Sequence, residues 1–326
     1  MNVLLTAYPR LHLTLLDLGG ITPRKYGGAG LTLAGPTLRL SAKQDERWKL
    51  VGFDRLDAES RREITDLLRR LTDSLLCHPA RLELLQALPQ HVGLGSKTAT
   101  LLSIIRAVTA VNGHAASRAE TVNISGRGGA SGVGVATFFR GGFVTDAGHP
   151  YDGTKRFLPS HGRKPQHAPP LICRLPTPPY WRFHLFLPAG YRLAGESEVT
   201  FFQHHTPLPE SEVLSAIALV YHGLAPAIAT SDLQLLHSSL QHIHNIGFKS
   251  RELKSQSPAV RDLYLKLSRE PAVAVGMSSL GPVLYCVEDG RVAIRSAHFE
   301  ALAQAAGSTY LGCYKPRNQG HRVSHI

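Results

Sequence analysis

Apolar and polar residues alternate from position 3 to 18, the period of a strand or of one arm of a hairpin. Positions 27–42 alternate again, with glycines breaking the run, and read as a second strand pair. The period then changes. Ile64, Leu67, Leu68, Leu71 and Leu75 recur at helical steps, which predicts a helix over 60–76 with one buried face. Ser60 and Glu63 at its start have the spacing of a capping box. The stretch RLELLQALPQ returns to extended or mixed structure and stops at Pro89. A glycine turn then feeds an apolar helix through Leu101, Leu102, Ile105 and Val108.

Positions 150–179 are rich in proline, glycine, histidine and lysine and mark a boundary between lobes. An N-terminal lobe over 1–160 and a C-terminal lobe over 161–326 are therefore expected. Beyond the boundary, WRFHLFLPAG reads as a strand and ESEVTFFQHHTPLP as a loop. Helical periodicity fits 210–221, 231–245 and 257–267. AVAVGMSSLGPVLYCVEDG is a strand, a glycine turn and a strand, followed by a last helix near 297–306. The tail CYKPRNQGHRVSHI is polar and basic, and is expected to fray.

A chain of 326 residues, 43% of them apolar, can bury a sizeable core. No stretch approaches the roughly 18 apolar residues that span a bilayer, so no membrane span or membrane partner is expected. Arg10 and His12 interrupt the apolar N-terminal run, which reads as mature structure and not as a signal peptide. Cys77, Cys173, Cys286 and Cys313 lie far apart and suggest neither a zinc site nor a disulfide framework, so a cytoplasmic, reducing compartment is the expectation. The formal net charge of +12 calls for anionic partners. Basic residues are dispersed, without interleaved aromatics, which favours a phosphorylated small molecule over nucleic acid.

Three glycine turns sharpen that expectation. Backbone N–H groups at a helix N-terminus bind phosphate readily where no Cβ blocks the approach. PQHVGLGSKTA offers Gly93 and Gly95 for the amides, Ser96 and Thr98 for hydroxyls, and Lys97 for charge. It does not fit the Walker A pattern. GRGGASGVG offers Arg127, able to grip a phosphate bidentately, with Gly128, Gly129 and Ser131 beside it. GMSSLGP, between two strands, is the third. Three such turns spread over both halves of the chain suggest one cleft between the lobes.

The order PRLHLTLLDL, RKYGGAGLTL, P-x-x-VGLGSKTA, SGRGGASGVGVATFFRGGFVTDAGH, PP-x-x-R, QSPAV and VGMSSLGPVLYCV resembles the β-ribofuranosylaminobenzene 5′-phosphate synthase family. The likeness runs from Pro9 to about Val287, and its most specific part is the 126–149 segment. It implies an α/β (α+β), GHMP kinase-like two-lobed fold. It also implies an enzyme that joins phosphoribosyl pyrophosphate to the ring carbon of an aromatic carboxylic acid, releasing pyrophosphate and carbon dioxide, with Mg2+ on the pyrophosphate. The acceptor is 4-aminobenzoate in the pathway to methanopterin and an amino-pyrazole acid in C-nucleoside antibiotic pathways. The resemblance further makes a homodimer the assembly to expect. A GHMP-type ATP-dependent small-molecule kinase is the alternative, and the 126–149 segment stands against it.

Asp17, at the end of an apolar strand, matches a family acid that either stabilises the sugar cation or helps to hold magnesium; an Asp capping the next turn would look the same. Arg24 matches a family arginine expected to meet phosphate. Arg10 and His12 share a strand, so one of them can point into the cleft. Asp146 and His149 close the glycine segment where the family also carries an acid and a histidine. Lys97 departs from the family's glycine, and either adds a phosphate contact or reshapes the acceptor pocket. Gln203, His204, His205, His242 and His244 read as surface or packing residues, since rings two apart on a helix diverge. Phe201, Phe202, Tyr180 and Trp181 offer stacking faces but fit core packing better.

Overall fold

In a computed structural model the described residues are 2–325 apart from 76, 115, 163, 164, 166 and 190–194. Fourteen strands form three sheets among these residues. The first sheet holds β1 (Asn2–Ala7), β4 (Leu38–Gln44), β5 (Lys49–Val51), β6 (Ala80–Gln86) and β14 (Arg322–His325), in the order β14-β1-β4-β6-β5. The second holds β2 (Arg10–Asp17), β3 (Arg24–Thr32), β7 (Phe143–Asp146) and β9 (Leu171–Leu175) in that order, with β8 (His149–Pro150) paired to the start of β3. The third runs β11-β12-β10-β13, from β10 (Trp181–Pro188), β11 (Ala274–Met277), β12 (Leu284–Asp289) and β13 (Ser308–Tyr314).

The helices are α1 (Ala58–Leu75), α2 (Ser96–Val111), α3 (Arg118–Ser125), α4 (Val133–Arg140), α5 (Glu196–His205), α6 (Glu210–Leu219), α7 (Ala225–Thr230), α8 (Leu233–Asn245), α9 (Gly247–Lys254), α10 (Pro258–Ser268) and α11 (Ser296–Ala305). Helix α2 packs on β1 and β4, and its Leu101, Leu102, Ile105 and Val108 are buried in the first core together with Leu67 and Leu71 of α1. A second core joins Leu11 and Leu13 of β2 to Trp181, Phe183 and Leu185 of β10 and to Leu236 and Leu240 of α8.

The strand pairing differs from the expected hairpins. Strand β1 pairs with β4 and β2 with β3, so the chain changes sheets near Pro9 and again between β3 and β4. Proline has no N–H to continue a ladder, and it sits where the switch occurs. Pairing also runs across the boundary expected at 160/161: β9 joins β7, and β14 returns to β1. The tail is therefore not frayed. Arg317 and His321 donate backbone bonds to Thr32 and Phe138, and the Arg317 guanidinium lies 3.7 Å from the Tyr8 ring centroid.

Three local expectations are also corrected. Helix α1 begins before Ser60, because the Asp57 carboxylate takes the cap by accepting from Ser60 N at 2.8 Å and Ser60 Oγ at 2.9 Å; the expected end at Leu76 lies outside the described residues. The 196–209 stretch is helical over α5, where Glu196 and Glu198 in the first turn and His204 and His205 in the last complement the helix dipole. Finally, Glu210–Thr230 is one helical segment of 21 residues, long and apolar enough by length and composition to cross a membrane. Its Val213, Ala216, Val220, Leu224, Ala227 and Ile228 are buried in the fold.

Candidate active site

The three glycine turns open onto one cleft. Gly93 adopts φ 93°, and a Cβ there would lie 2.2 Å from Ser278 O, so the first turn fits against the third only with glycine at this position. Ser278 Oγ donates to Gly93 O at 2.6 Å, and Arg10 Nη1 donates to the same oxygen at 2.7 Å. One carbonyl thus ties β2, the first turn and the third turn together.

Two helices begin at this cleft. Helix α2 starts at Ser96 after Gly95 with no side-chain cap, whereas at the start of α4 Ser131 Oγ accepts from Val133 N at 3.1 Å. Ser96, Lys97 and Thr98 line the cleft from α2, and Gly134 and Val135 from α4. The uncapped N–H groups and the positive dipole end of α2 make an anion site, and α4 adds its glycine-lined wall. Arg10 and Arg127 add full charges. Burial holds the Arg10 guanidinium down at about 10, with Arg127 acting in the same direction and Glu198 and Glu252 opposing. Burial likewise lowers Arg127, against Glu63 and Glu198. An anion beside Arg10 and Arg127 would offset the lowering that Arg127 adds at Arg10.

The remaining candidates separate. His12 lines the cleft and stays neutral: burial lowers it well below the usual imidazole range, reinforced by Arg10 and Lys249. Ser131 lines the cleft, while Asp146 lies behind it, 1% exposed, accepting from Ser131 Oγ at 2.8 Å and from Gly148 N at 2.9 Å. Burial raises the Asp146 carboxyl to about 6 in spite of those bonds. Gly128 is on the wall; Gly129 is buried outside it. His149 is buried, with Nε2 at 2.8 Å from Gly128 O, so it supports the second turn from beneath.

Asp17 and Arg24 lie off the cleft wall. The Asp17 carboxylate accepts from the N–H groups of Gly19, Gly20, Ile21 and Thr22, with Gly20 N at 2.6 Å, so it caps the turn after β2. A carboxylate so committed has no lone pair directed at a sugar or a metal. Arg24 donates to Ala147 O at 2.7 Å and Gly148 O at 2.8 Å, bracing the end of the 126–149 segment. Lys97 is bridged to α1 by Glu59 Oε1 at 2.9 Å and Glu63 Oε2 at 3.0 Å. Burial would lower its ammonium, and the two glutamates overcome that and raise it. This cation is already neutralised inside the protein.

Of three further residues of the wall, Phe202 reads as core in the sequence, Glu198 belongs to a pair of acids that can face the cleft mouth, and Glu252 carries no signal there. Phe202, from the helix expected to be a loop, presents a ring beside Leu15 and Leu280. Glu198 and Glu252 bring acids into a space otherwise built for anions. Among the described residues no three His, Cys, Asp or Glu side chains gather into a metal-binding group. Magnesium favours one or two carboxylates plus substrate phosphates, so this donor set fits an ion carried mainly by a diphosphate.

Mixed sheets with a glycine turn feeding α2 over an anion cleft define a protein of the GHMP kinase fold. Homoserine kinase from Cytophaga hutchinsonii superposes with a TM-score of 0.71 at 16% identity, covering 99% of this chain and 97% of its own. No family model matches the chain. It is 34% identical over 280 residues to β-ribofuranosylphenol 5′-phosphate synthase from Archaeoglobus fulgidus, covering 86% of each protein. The synthase of the same name from Methanothermobacter thermautotrophicus is 32% identical over 295 residues, 89% of each. The chain belongs to the β-ribofuranosylphenol 5′-phosphate synthase family, and is a C-ribosyltransferase by class.

Proposed function

We propose that the chain joins the ribosyl 5-phosphate of phosphoribosyl pyrophosphate to the ring of an aromatic carboxylic acid, releasing pyrophosphate and carbon dioxide. The observation that carries this is the convergence of the uncapped N-terminus of α2, Arg10 and Arg127 on a single cleft. Such a wall suits a ligand with phosphate at two places. The relatives' name carries a phenol, so 4-hydroxybenzoate stands first as acceptor, 4-aminobenzoate next, both toward methanopterin, and an amino-pyrazole acid third, toward a C-nucleoside.

In the proposed reaction the bond from sugar C1 to the diphosphate oxygen breaks and its electron pair leaves with pyrophosphate. The ring carbon that bears the carboxylate bonds to C1. The bond to the carboxylate then breaks, its pair restores the aromatic ring, and carbon dioxide departs. No electron is gained or lost overall, and no covalent enzyme nucleophile is needed. Amides and guanidinium groups stabilise the charge that grows on the leaving group. Magnesium, when bound to the diphosphate, would neutralise part of the same charge. Neutral His12 adds no positive charge beside the sugar, and Phe202 with Leu280 offers an apolar seat for the ring.

Thermal unfolding tests the ligand class. Phosphoribosyl pyrophosphate is expected to raise the melting temperature and ATP to leave it unchanged. A shift with ATP and none with phosphoribosyl pyrophosphate would return the chain to the kinases.

A further inference from the structure

A ribosyl transfer of this kind puts positive charge on the sugar as well as negative charge on the leaving group, and a nearby carboxylate stabilises the former. Asp17 is unavailable, since the turn after β2 holds it. Helix α9 supplies another acid. On one side of α9, Arg251 pairs with Glu212 Oε2 of α6 at 2.6 Å. On the other, Lys249 and Glu252 stand three apart, 2% and 5% exposed, with Nζ and Oε2 at 2.5 Å. Lys249 Nζ also donates to Ser279 O at 2.8 Å and Met277 O at 3.3 Å. An ammonium has three protons, and these three acceptors take them all. Lys249 therefore has no proton left for a ligand and serves to fix its partner.

Glu252 is placed differently. The residue lines the wall together with Arg10, His12 and Ser279. Oε2 is held by Lys249, and Oε1 has no partner among the described residues. The carboxylate is paired through one oxygen only, and an acid whose other oxygen is open at a cleft is placed to meet a cation in function. Beside a phosphate such an oxygen would repel the ligand; beside the sugar it is neutral to the ground state and favourable once the diphosphate leaves.

Resting on the transferase function proposed above, we propose that Glu252, clamped by Lys249, is the catalytic carboxylate that faces the ribosyl carbon as pyrophosphate departs, with Lys249 as its positioning residue.

The test uses the full chain with magnesium, phosphoribosyl pyrophosphate and the acceptor acids, comparing wild type, Glu252→Gln and Glu252→Asp. A wild-type chain that makes no C-riboside with any of the acids overturns the transferase function and this assignment with it. Where wild type is active, Glu252→Gln is expected to lower kcat by roughly 100- to 1,000-fold, because its effect is confined to the transition state. KM for phosphoribosyl pyrophosphate and the melting shift it produces are expected to stay within about threefold of wild type. Glu252→Asp, which keeps the charge but withdraws it by one methylene, is expected to fall between the two and guards against a misfolded Gln variant. A Gln variant with kcat near wild type overturns the proposal while leaving the transferase function standing. Turnover restored by raised magnesium would overturn it too, by giving the carboxylate to the metal.

Discussion

Arg127 Nε donates to Thr98 Oγ1 at 3.1 Å, so the second glycine turn is tied directly to the first turn of α2. Both residues line the cleft, and the bond holds the guanidinium against the first turn of that helix.

Arg127→Ala is expected to weaken phosphoribosyl pyrophosphate binding by about 10- to 100-fold, the worth of a lost charge-assisted hydrogen bond of roughly 1.5–3 kcal/mol. Stability is expected to hold or rise, because Arg127 disfavours the charged form of its neighbour Arg10. Isothermal titration with the ligand, alongside denaturant unfolding, checks both halves.

Lys97→Met separates the two arginines from the third cation of the wall. Since Glu59 and Glu63 already hold Lys97, its loss is expected to change KM for phosphoribosyl pyrophosphate by less than about threefold. The α1–α2 bridge is lost with it, lowering stability by about 1 kcal/mol. A tenfold rise in KM would show that the lysine leaves its glutamates for phosphate.

Asp17→Asn replaces two acceptor oxygens with one and turns an amide donor toward backbone N–H groups. Because hydrogen bonds to a charged acceptor contribute more than neutral ones, a loss of about 2 kcal/mol in unfolding free energy is expected. Urea denaturation measures it, and an unchanged midpoint would mean that the turn is held by something else.

Asp146 gives a pH signature. Its carboxyl is raised from the usual 3.8 to about 6 in the fold, so the folded state holds the proton more tightly than the unfolded chain. The stability this contributes is present below the unfolded value and lost as pH rises through about 6. Other groups titrate as well, so the useful quantity is the difference between wild type and Asp146→Asn. Wild type is expected to lose on the order of 3 kcal/mol relative to the variant across that window. A pH-independent difference would contradict it.

The glycine turns were readable in the sequence because their chemistry is local: Gly93 and Gly128 with φ near 93° and 99°, and the hydroxyls of Ser96 and Thr98, need no distant partner to be recognised. Asp17 shows the limit of that view. A capping carboxylate and a catalytic one carry the same side chain at the end of the same strand, and only the four amides that surround it decide between them. Glu252 was invisible for the opposite reason. It lies in GFKSRELK, a polar stretch that reads as surface, and its partner Lys249 is held by the carbonyls of Met277 and Ser279 from a later turn of the chain. The edge strand β14 was missed likewise, since Val323 pairs with Leu5 across almost the full length of the sequence.

The most direct measurement is the fate of an isotopically labelled carboxylate. The chain is incubated with magnesium, phosphoribosyl pyrophosphate and 4-hydroxybenzoate labelled with carbon-13 at the carboxyl carbon, and gas and products are read by mass spectrometry. Labelled carbon dioxide, equimolar with pyrophosphate and with an unlabelled C-riboside 5-phosphate, is the expected result. Retention of the label, together with phosphate transfer from ATP to a small molecule, would contradict it.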